Sequence, residues 1–245
     1  MPSLEANRVA VVTGAGRGIG RAIALVLARE GYSLCIAART REELEQTRKM
    51  TGLSPERSLI VLVDLADPEG PENLFNAALE CFGRIDVLVN NAGFAPPRTP
   101  LERLSAADQD RMLAVNLRAP IALARMAAVR MARQGSGAIV NIASAAARTT
   151  APGEAVYAAT KAGLVAFTRA SFAELREREI KVSVIVPGLV DTPLIPANKR
   201  LNRGLMLSAE DVAAAVMHVV KSPPHVCPVE IAVEPQRNPE RARPA

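Results

Sequence analysis

Arg8-Val-Ala-Val-Val-Thr13-Gly14-Ala-Gly16-Arg17-Gly18-Ile19-Gly20-Arg21-Ala-Ile-Ala-Leu-Val-Leu-Ala-Arg-Glu30-Gly31 is the stretch whose reading decides the fold. Its first part, Arg8 to Thr13, is a short β-branched run, continuous in apolar character as a buried parallel strand is. A helical pattern follows from Arg21 to Glu30, and Gly31 closes it as a C-cap. Between the two lies a turn with glycine at every second position, Gly14, Gly16, Gly18 and Gly20. Such a turn leaves backbone N–H groups and a helix N-terminus facing outward, a ready site for a pyrophosphate. The common spacing G-x-G-x-x-G would need glycine at Ile19 and is not met. What stands instead is Thr-Gly-x-x-x-Gly-x-Gly, from Thr13, Gly14, Gly18 and Gly20.

Working outward, a second strand, Ser33 to Ala38, ends at Arg39. At the tip of this strand an acidic side chain would accept from a free ribose 2′-hydroxyl, whereas arginine accommodates a 2′-phosphate. Ala37-Ala38-Arg39 supplies no carboxylate, and Arg17 adds a second cation from the glycine turn. The expected cofactor is therefore NADP(H) rather than NAD(H), since arginine clamps a phosphate bidentately. A helix over Glu42 to Met50 leads to a third strand, Leu59 to Val63, ending in Asp64-Leu65. A helix from Pro71 to Phe82 leads to a fourth, Ile85 to Val89, which runs into Asn90-Asn91-Ala92-Gly93. Strands and helices alternating at this spacing are parallel βαβ units, so the fold class is α/β, a Rossmann-type doubly wound sheet of about seven parallel strands. Ligands in such sheets bind beyond the carboxyl ends of the strands, where Gly14, Arg39, Asp64, Asn91 and Ser144 all fall.

The second half carries the chemistry. Ser105 caps a long helix, expected with a kink, that runs to Arg133 and holds Asn116 at its middle. The alternating run Ala138 to Ala143 then forms a fifth strand with Ser144 at its mouth, and Pro152-Gly153 punctuates a loop. A helix from Glu154 to Arg178 puts Tyr157 and Lys161, four residues apart, on one face. A free tyrosine titrates near pH ~10. A neighbouring lysine cation favours the phenolate, and a lowering by about two to three units, roughly 3–4 kcal/mol, would suit general acid–base work. Taken alone the pair is an ordinary i, i+4 spacing. A sixth strand, Lys181 to Val186, ends in Pro187-Gly188. The loop from Leu189 to Leu207 holds Pro193, Pro196, Lys199, Arg200, Arg203 and Gly204 and is expected to be a mobile cover over the site. Ser208 starts a last helix, Val229 to Val233 a seventh strand, and the tail from about 236 is expected to be flexible.

With 245 residues, 49% apolar and 22% charged, the chain is expected to form one domain over 1–245. The net charge of +5 is dispersed among acidic residues, so neither nucleic acid nor a membrane surface is an expected partner. No apolar run approaches ~20 residues, and no membrane span is expected. The start Met1-Pro-Ser-Leu-Glu has no signal-peptide pattern. Cys35, Cys81 and Cys227 lack metal or disulfide spacing, which fits reduced thiols and a cytoplasmic location. No metal is expected, and His218 and His225 are too isolated to serve as ligands or bases.

Thr13-Gly14-x-x-x-Gly18-Ile19-Gly20, Asn90-Asn91-Ala92-Gly93, Asn116, Ser144, Tyr157-x-x-x-Lys161 and Pro187-Gly188 occur in this order, and through them residues 7–235 strongly resemble the short-chain dehydrogenase/reductase family. The resemblance implies a catalytic tetrad of Asn116, Ser144, Tyr157 and Lys161. In it Ser144 positions a carbonyl, Tyr157 gives or takes its proton, and Asn116 holds a water in a relay to Lys161. It implies that Lys161 bonds the nicotinamide ribose while lowering the phenol's pKa, that Asp64 meets the adenine and that Thr192 contacts the carboxamide. The cofactor-binding set it implies is Gly14, Gly16, Arg17, Gly18, Ile19, Gly20, Arg39, Asp64, Leu65, Asn91, Ala92, Gly93, Tyr157, Lys161, Pro187, Gly188, Val190 and Thr192. The activity implied is NADP(H)-dependent interconversion of a small carbonyl compound and its alcohol, by a homodimer or homotetramer formed through the two long helices. The ending Pro228-Val-Glu-Ile-Ala-Val-Glu-Pro-Gln lacks the Val-Asp-Gly-Gly of many acyl-carrier enzymes, so it looks more like members acting on small hydroxy acids or other ketones. Reduction of a 3-oxoacyl carrier protein, docked on Arg125, Arg130, Arg133 and Arg169, is one alternative. A non-catalytic NADP(H)-binding sensor or structural relative is the other.

Overall fold

In the computed structural model, which describes residues 8–195, 198 and 201–240, the run after Arg8 is a five-residue strand, β1 (Val9–Thr13). The first helix, α1 (Gly18–Arg29), begins three residues before the periodic pattern, because glycines carry no apolar signal yet adopt its first turn. β2 (Ser33–Ala38), α2 (Arg41–Thr51), β3 (Ser58–Leu62), α3 (Gly70–Phe82) and β4 (Val87–Asn90) complete the first half. The second half consists of α4 (Ala106–Leu113), α5 (Ala119–Gln134), β5 (Gly137–Ile142), α6 (Ala155–Leu175), β6 (Ile180–Pro187), α7 (Ala209–Lys221) and β7 (Glu230–Val233).

All seven strands pair in parallel, in the order β3-β2-β1-β4-β5-β6-β7. The chain therefore winds outward in one direction from β1 and then in the other from β4, and the crevice at that reversal is where such sheets bind ligands. Alternate residues feed two cores. Ala10, Val12, Leu34 and Ile36 pack with Ile23, Leu27, Val212 and Val216 of α1 and α7. On the other face, Val11, Leu88 and Ile139 pack with Leu74, Ala78, Leu123 and Ala127 of α3 and α5. Side chains two apart along a strand share a face, so one strand serves both layers.

The long helix around Asn116 is not continuous. Between α4 and α5, residues Ala114–Arg118 widen into a π turn in which Ala119 N–H bonds to the Ala114 carbonyl. Pro120 supplies the reason: it has no N–H for the Asn116 carbonyl four residues before it. Ala106–Gln134 as a whole is the one described helical stretch long and apolar enough to cross a membrane by length and composition, yet 44% of its most apolar window is buried inside the protein. The helix expected to reach Arg178 ends at Leu175 and tightens into a 3-10 turn, Arg176–Arg178. Ala155, Ala159, Ala162 and Ala166 of α6 are exposed, as are Leu113, Ile121 and Val129 of α4 and α5.

Residues 1–7 and 241–245, with Pro196, Lys199 and Arg200 of the expected cover, lie outside the described residues. The rest of that loop is tied at its base, where Asp191 N–H donates to the Leu207 carbonyl at 2.8 Å and Leu207 N–H to that of Leu189 at 2.9 Å. Beyond β7 the chain turns back on it: Asn202 N–H donates to the Pro239 carbonyl at 2.9 Å, and Leu201 bridges Glu240.

Candidate active site

The glycine turn is held to β4 by Thr13. Its hydroxyl donates to the Val89 carbonyl at 3.3 Å and accepts from Asn91 N–H at 2.9 Å and Ala92 N–H at 3.0 Å. Asn91 Nδ2 donates to the carbonyls of Thr13 at 2.8 Å and Gly14 at 3.2 Å. Gly14 needs its glycine for two reasons: φ is +64°, and a Cβ would sit 2.9 Å from Asn91 Nδ2. A Cβ on Gly20 would fall 2.2 Å from the Gly14 carbonyl oxygen, so α1 can start this close to β1 only with glycine there. Arg17, at the N-cap of α1, makes no side-chain cap, and no acidic residue occupies the first turn. The first N–H groups of α1 are thus left for an anion.

Two charged pairs flank this turn. Arg17 stands 3.4 Å from Glu43 of α2, so its cation is shared with an acid of the same chain. Arg39 forms no ion pair among the described residues. Asp64 accepts from Ala66 N–H at 3.0 Å and pairs with Arg111 at 2.7 Å, and the Arg111 guanidinium lies 5.4 Å from the Phe94 ring centre. Burial pushes the Asp64 carboxyl up, but Ala66 N–H, Arg111 and the more distant Arg39 charge together outweigh it, and the group ends below the ordinary carboxylate value.

Ser144 closes β5 and starts the short turn Ala145–Ala147, its Oγ accepting from Ala146 N–H at 3.2 Å. Its hydroxyl also faces the Tyr157 phenol closely enough to favour the phenolate. Lys161, buried one turn along α6, donates to the Ile142 carbonyl at 2.9 Å and stands 5.9 Å from the Tyr157 ring centre. The expected lowering of the phenol by Lys161 is absent here and the sign is reversed. Burial raises the Tyr157 pKa, the Ser144 hydrogen bond works against that rise, and the Glu154 carboxylate adds to it. Burial also lowers Lys161 to about 8. An ammonium aimed at a carbonyl beneath the ring does little for the phenolate oxygen.

Asn116 is fully buried in the π turn. Its Oδ1 accepts from Phe94 N–H and its Nδ2 donates to the Phe94 carbonyl, both at 2.8 Å, with a longer 3.4 Å bond to Thr160 Oγ1. The side chain therefore clamps the loop after β4 through both its poles. The neighbourhood still converges, since a Cβ on Gly93 would lie 3.7 Å from Asn116 Oδ1 and 3.9 Å from Lys161 Nζ.

One cavity of about 1220 Å³ gathers nearly the whole candidate set: Gly14, Gly16, Arg17, Gly18, Ile19 and Gly20 of the turn; Arg39, Asp64, Leu65, Asn91, Ala92 and Gly93; Ser144, Tyr157 and Lys161; and Pro187, Gly188, Val190 and Thr192. Asn116 alone among the candidates stands behind its wall. Phe94, expected to line the pocket, does so, whereas sequence reasoning passed over Glu43, Arg111 and Glu154, which also line it. Glu154 is anchored by Arg98 at 2.6 Å, and Thr99 N–H donates to the Gly153 carbonyl at 3.2 Å, so the loops after β4 and β5 meet across the opening. No spacing in the chain marks these pairs. Of the arginines expected to form a docking face, Arg169 is turned to Glu230, and Arg130 is bonded to Gln134 Oε1 and the Gly83 carbonyl.

Known proteins share the sequence pattern and the fold of this chain. The short chain dehydrogenase family matches residues 8–202. An uncharacterized oxidoreductase of Staphylococcus aureus is 34% identical over 229 residues, 94% of this chain and 97% of that protein. A metagenomic short-chain oxidoreductase solved in complex with NADP is 31% identical, with a TM-score of 0.82 over 96% of this chain and 100% of that one. The 3-ketoacyl-(acyl-carrier-protein) reductase of Brucella melitensis, solved with NADH, is 30% identical with a TM-score of 0.85 over 96% and 99% of the two chains. This chain belongs to the short-chain dehydrogenase family of oxidoreductases.

Proposed function

We propose that the protein is an NADP(H)-dependent carbonyl reductase or alcohol dehydrogenase. One observation carries the reading: Ser144 and Tyr157 line the same cavity as the glycine turn. The residues suit a dinucleotide, because no side chain caps the start of α1 and Arg39, at the tip of β2, forms no ion pair among the described residues. Gly14, Gly16, Gly18, Ile19 and Gly20 would hold its pyrophosphate, Arg39 a 2′-phosphate, and Asp64, Leu65, Asn91, Ala92 and Gly93 its adenosine half. Lys161, Pro187, Gly188, Val190 and Thr192 would hold the nicotinamide half. When bound, the nicotinamide supplies or accepts a hydride.

Ser144 orients the substrate oxygen, and Tyr157 holds the proton that this oxygen gains or loses. A phenol raised by burial is well protonated at neutral pH, which suits it to donate in the reducing direction. Lys161, with a pKa near 8, can accept or return a proton from beneath the phenol. Asn116 keeps Phe94 and the wall of the site in place. The exposed alanine face of α6 would be covered by a second copy of the chain. The test is consumption of NADPH with a panel of ketones by the parent protein and by Tyr157→Phe. The expected outcome is turnover by the parent alone, with NADPH binding kept by both; equal rates would remove Tyr157 from the chemistry.

A further inference from the structure

The charges that line the cavity divide sharply along its length. Its described cations are Arg17, Arg39, Arg98, Arg111 and Lys161, and its acids are Glu43, Asp64, Glu154, Glu234 and Glu240. Three arginines are neutralised in place: Arg17 by Glu43 at 3.4 Å, Arg111 by Asp64 at 2.7 Å and Arg98 by Glu154 at 2.6 Å. Lys161 is buried against the Ile142 carbonyl. What is left is Arg39 on one side and two carboxylates, Glu234 and Glu240, on the other; neither forms an ion pair among the described residues. Arg39 follows β2 and Glu234 follows β7, with β1, β4, β5 and β6 between them. At strand spacing that separates them by roughly 24 Å.

The carboxylates reach the cavity from the chain's end. Glu234 Oε2 occupies the space a Cβ on Gly188 would need, beside the bond from Gly188 N–H to the Val233 carbonyl at 2.8 Å. Glu240 is carried back by its bridge to Leu201. Another guanidinium near the loop after Ser144, that of Arg148, is tied with Arg169 to Glu230 and faces away from the cavity lining. Apolar side chains make up much of the rest of this end, with Phe94, Leu104 and Leu201 inside and Leu101 and Leu194 at the rim, 64% and 49% exposed, beside the neutral polar Thr149, Thr150 and Asn198.

We infer that the substrate end of the crevice is built for an apolar carbonyl compound that bears no negative charge, with Glu234 and Glu240 as the specificity-determining residues. The inference rests on the carbonyl-reductase reading and names its substrate class. A carboxylate or phosphate there would lose water without gaining a described counter-ion, and would face two like charges besides. Small hydroxy acids, one of the two substrate groups of the family members that the chain's ending resembles, are therefore disfavoured against other ketones. A positive group on the substrate is favoured by the same two carboxylates.

Three matched aryl ketones with NADPH test this at low ionic strength: 4-acetylbenzoate, 4-methylacetophenone and (4-acetylphenyl)trimethylammonium. The expected kcat/KM for the neutral ketone exceeds that for the benzoate by about tenfold, and the cationic ketone at least equals the neutral one. The gap narrows in the parent protein at about 0.5 M salt, which screens these exposed charges without any substitution. In the double variant Glu234→Gln/Glu240→Gln the neutral-to-anionic ratio falls toward one, with the NADPH dissociation constant and melting temperature as checks on the fold. Turnover of the benzoate as fast as, or faster than, the neutral ketone overturns this inference alone. A ratio unchanged by the double variant removes Glu234 and Glu240 from specificity. No turnover of any ketone with NADPH bound overturns the carbonyl-reductase reading and this inference with it.

Discussion

Lys161 Nζ donates to the Ile142 carbonyl at 2.9 Å and stands 5.9 Å from the centre of the Tyr157 ring. The i, i+4 pair on α6 is therefore two separately buried groups rather than an ammonium resting on a phenolate. Their pKa values move apart, the phenol rising above 10.0 and the lysine falling from 10.5 to about 8. Each is displaced chiefly by its own desolvation.

Stability should rise with pH through the lysine's window. Lys161 falls from 10.5 to about 8 on folding, so between these values the unfolded chain binds the extra proton and the folded state gains as pH increases. The full effect is of the order of 3 kcal/mol. Urea denaturation at intervals across that window should show this rise in the parent protein and not in Lys161→Met.

Glu154 and Arg98 should move the alkaline limit of reduction in opposite directions. Reduction needs the phenol protonated, and the Glu154 carboxylate raises the Tyr157 pKa. Glu154→Gln removes that charge, so the alkaline fall in kcat should shift to lower pH. Arg98→Ala leaves Glu154 without its 2.6 Å partner and should shift the fall upward. A kcat–pH profile of each variant measures both, and parallel shifts would sink the assignment.

Cofactor affinity should respond to Glu43 as well as to Arg39. Arg39→Ala should weaken NADPH binding by about ten- to a hundredfold, the worth of a charged hydrogen bond, and leave NADH nearly unchanged. Glu43→Gln frees Arg17 from its 3.4 Å pair and should strengthen NADPH binding relative to NADH. Fluorescence titration of both dinucleotides decides it.

Asn116→Ala should destabilise the fold by about 2 kcal/mol, because the Phe94 N–H and carbonyl would lose both 2.8 Å partners. The loss should appear in chemical denaturation without cofactor, which separates a clamp from a group that acts only during turnover.

Much of the fold was legible because it repeats a local rule. Apolar runs such as Val9 to Val12 and Leu34 to Ile36 read as strands buried on both faces, and the helices between them read as crossovers. The glycine turn was legible because Gly14 and Gly20 answer to sterics, which leave a mark in one short stretch. The start of α1 at Gly18 and the π turn at Asn116 were harder, since glycine gives no periodic signal and the break depends on Pro120 meeting a helix from the far side.

The sequence by itself determined the parallel α/β sheet, the glycine-lined turn and the grouping of Ser144, Tyr157 and Lys161 near one strand end, because backbone sterics and apolar periodicity act within a few residues. Only the tertiary structure decided where the charges go: Arg17 to Glu43, Arg111 to Asp64, Arg98 to Glu154 and Lys161 to the Ile142 carbonyl. Those partners lie 26, 47, 56 and 19 positions apart in the chain, yet 2.6 to 3.4 Å apart in space. Ion pairing falls off with distance in space and takes no account of separation along the chain, so folding had to bring the segments together before their electrostatics could be read.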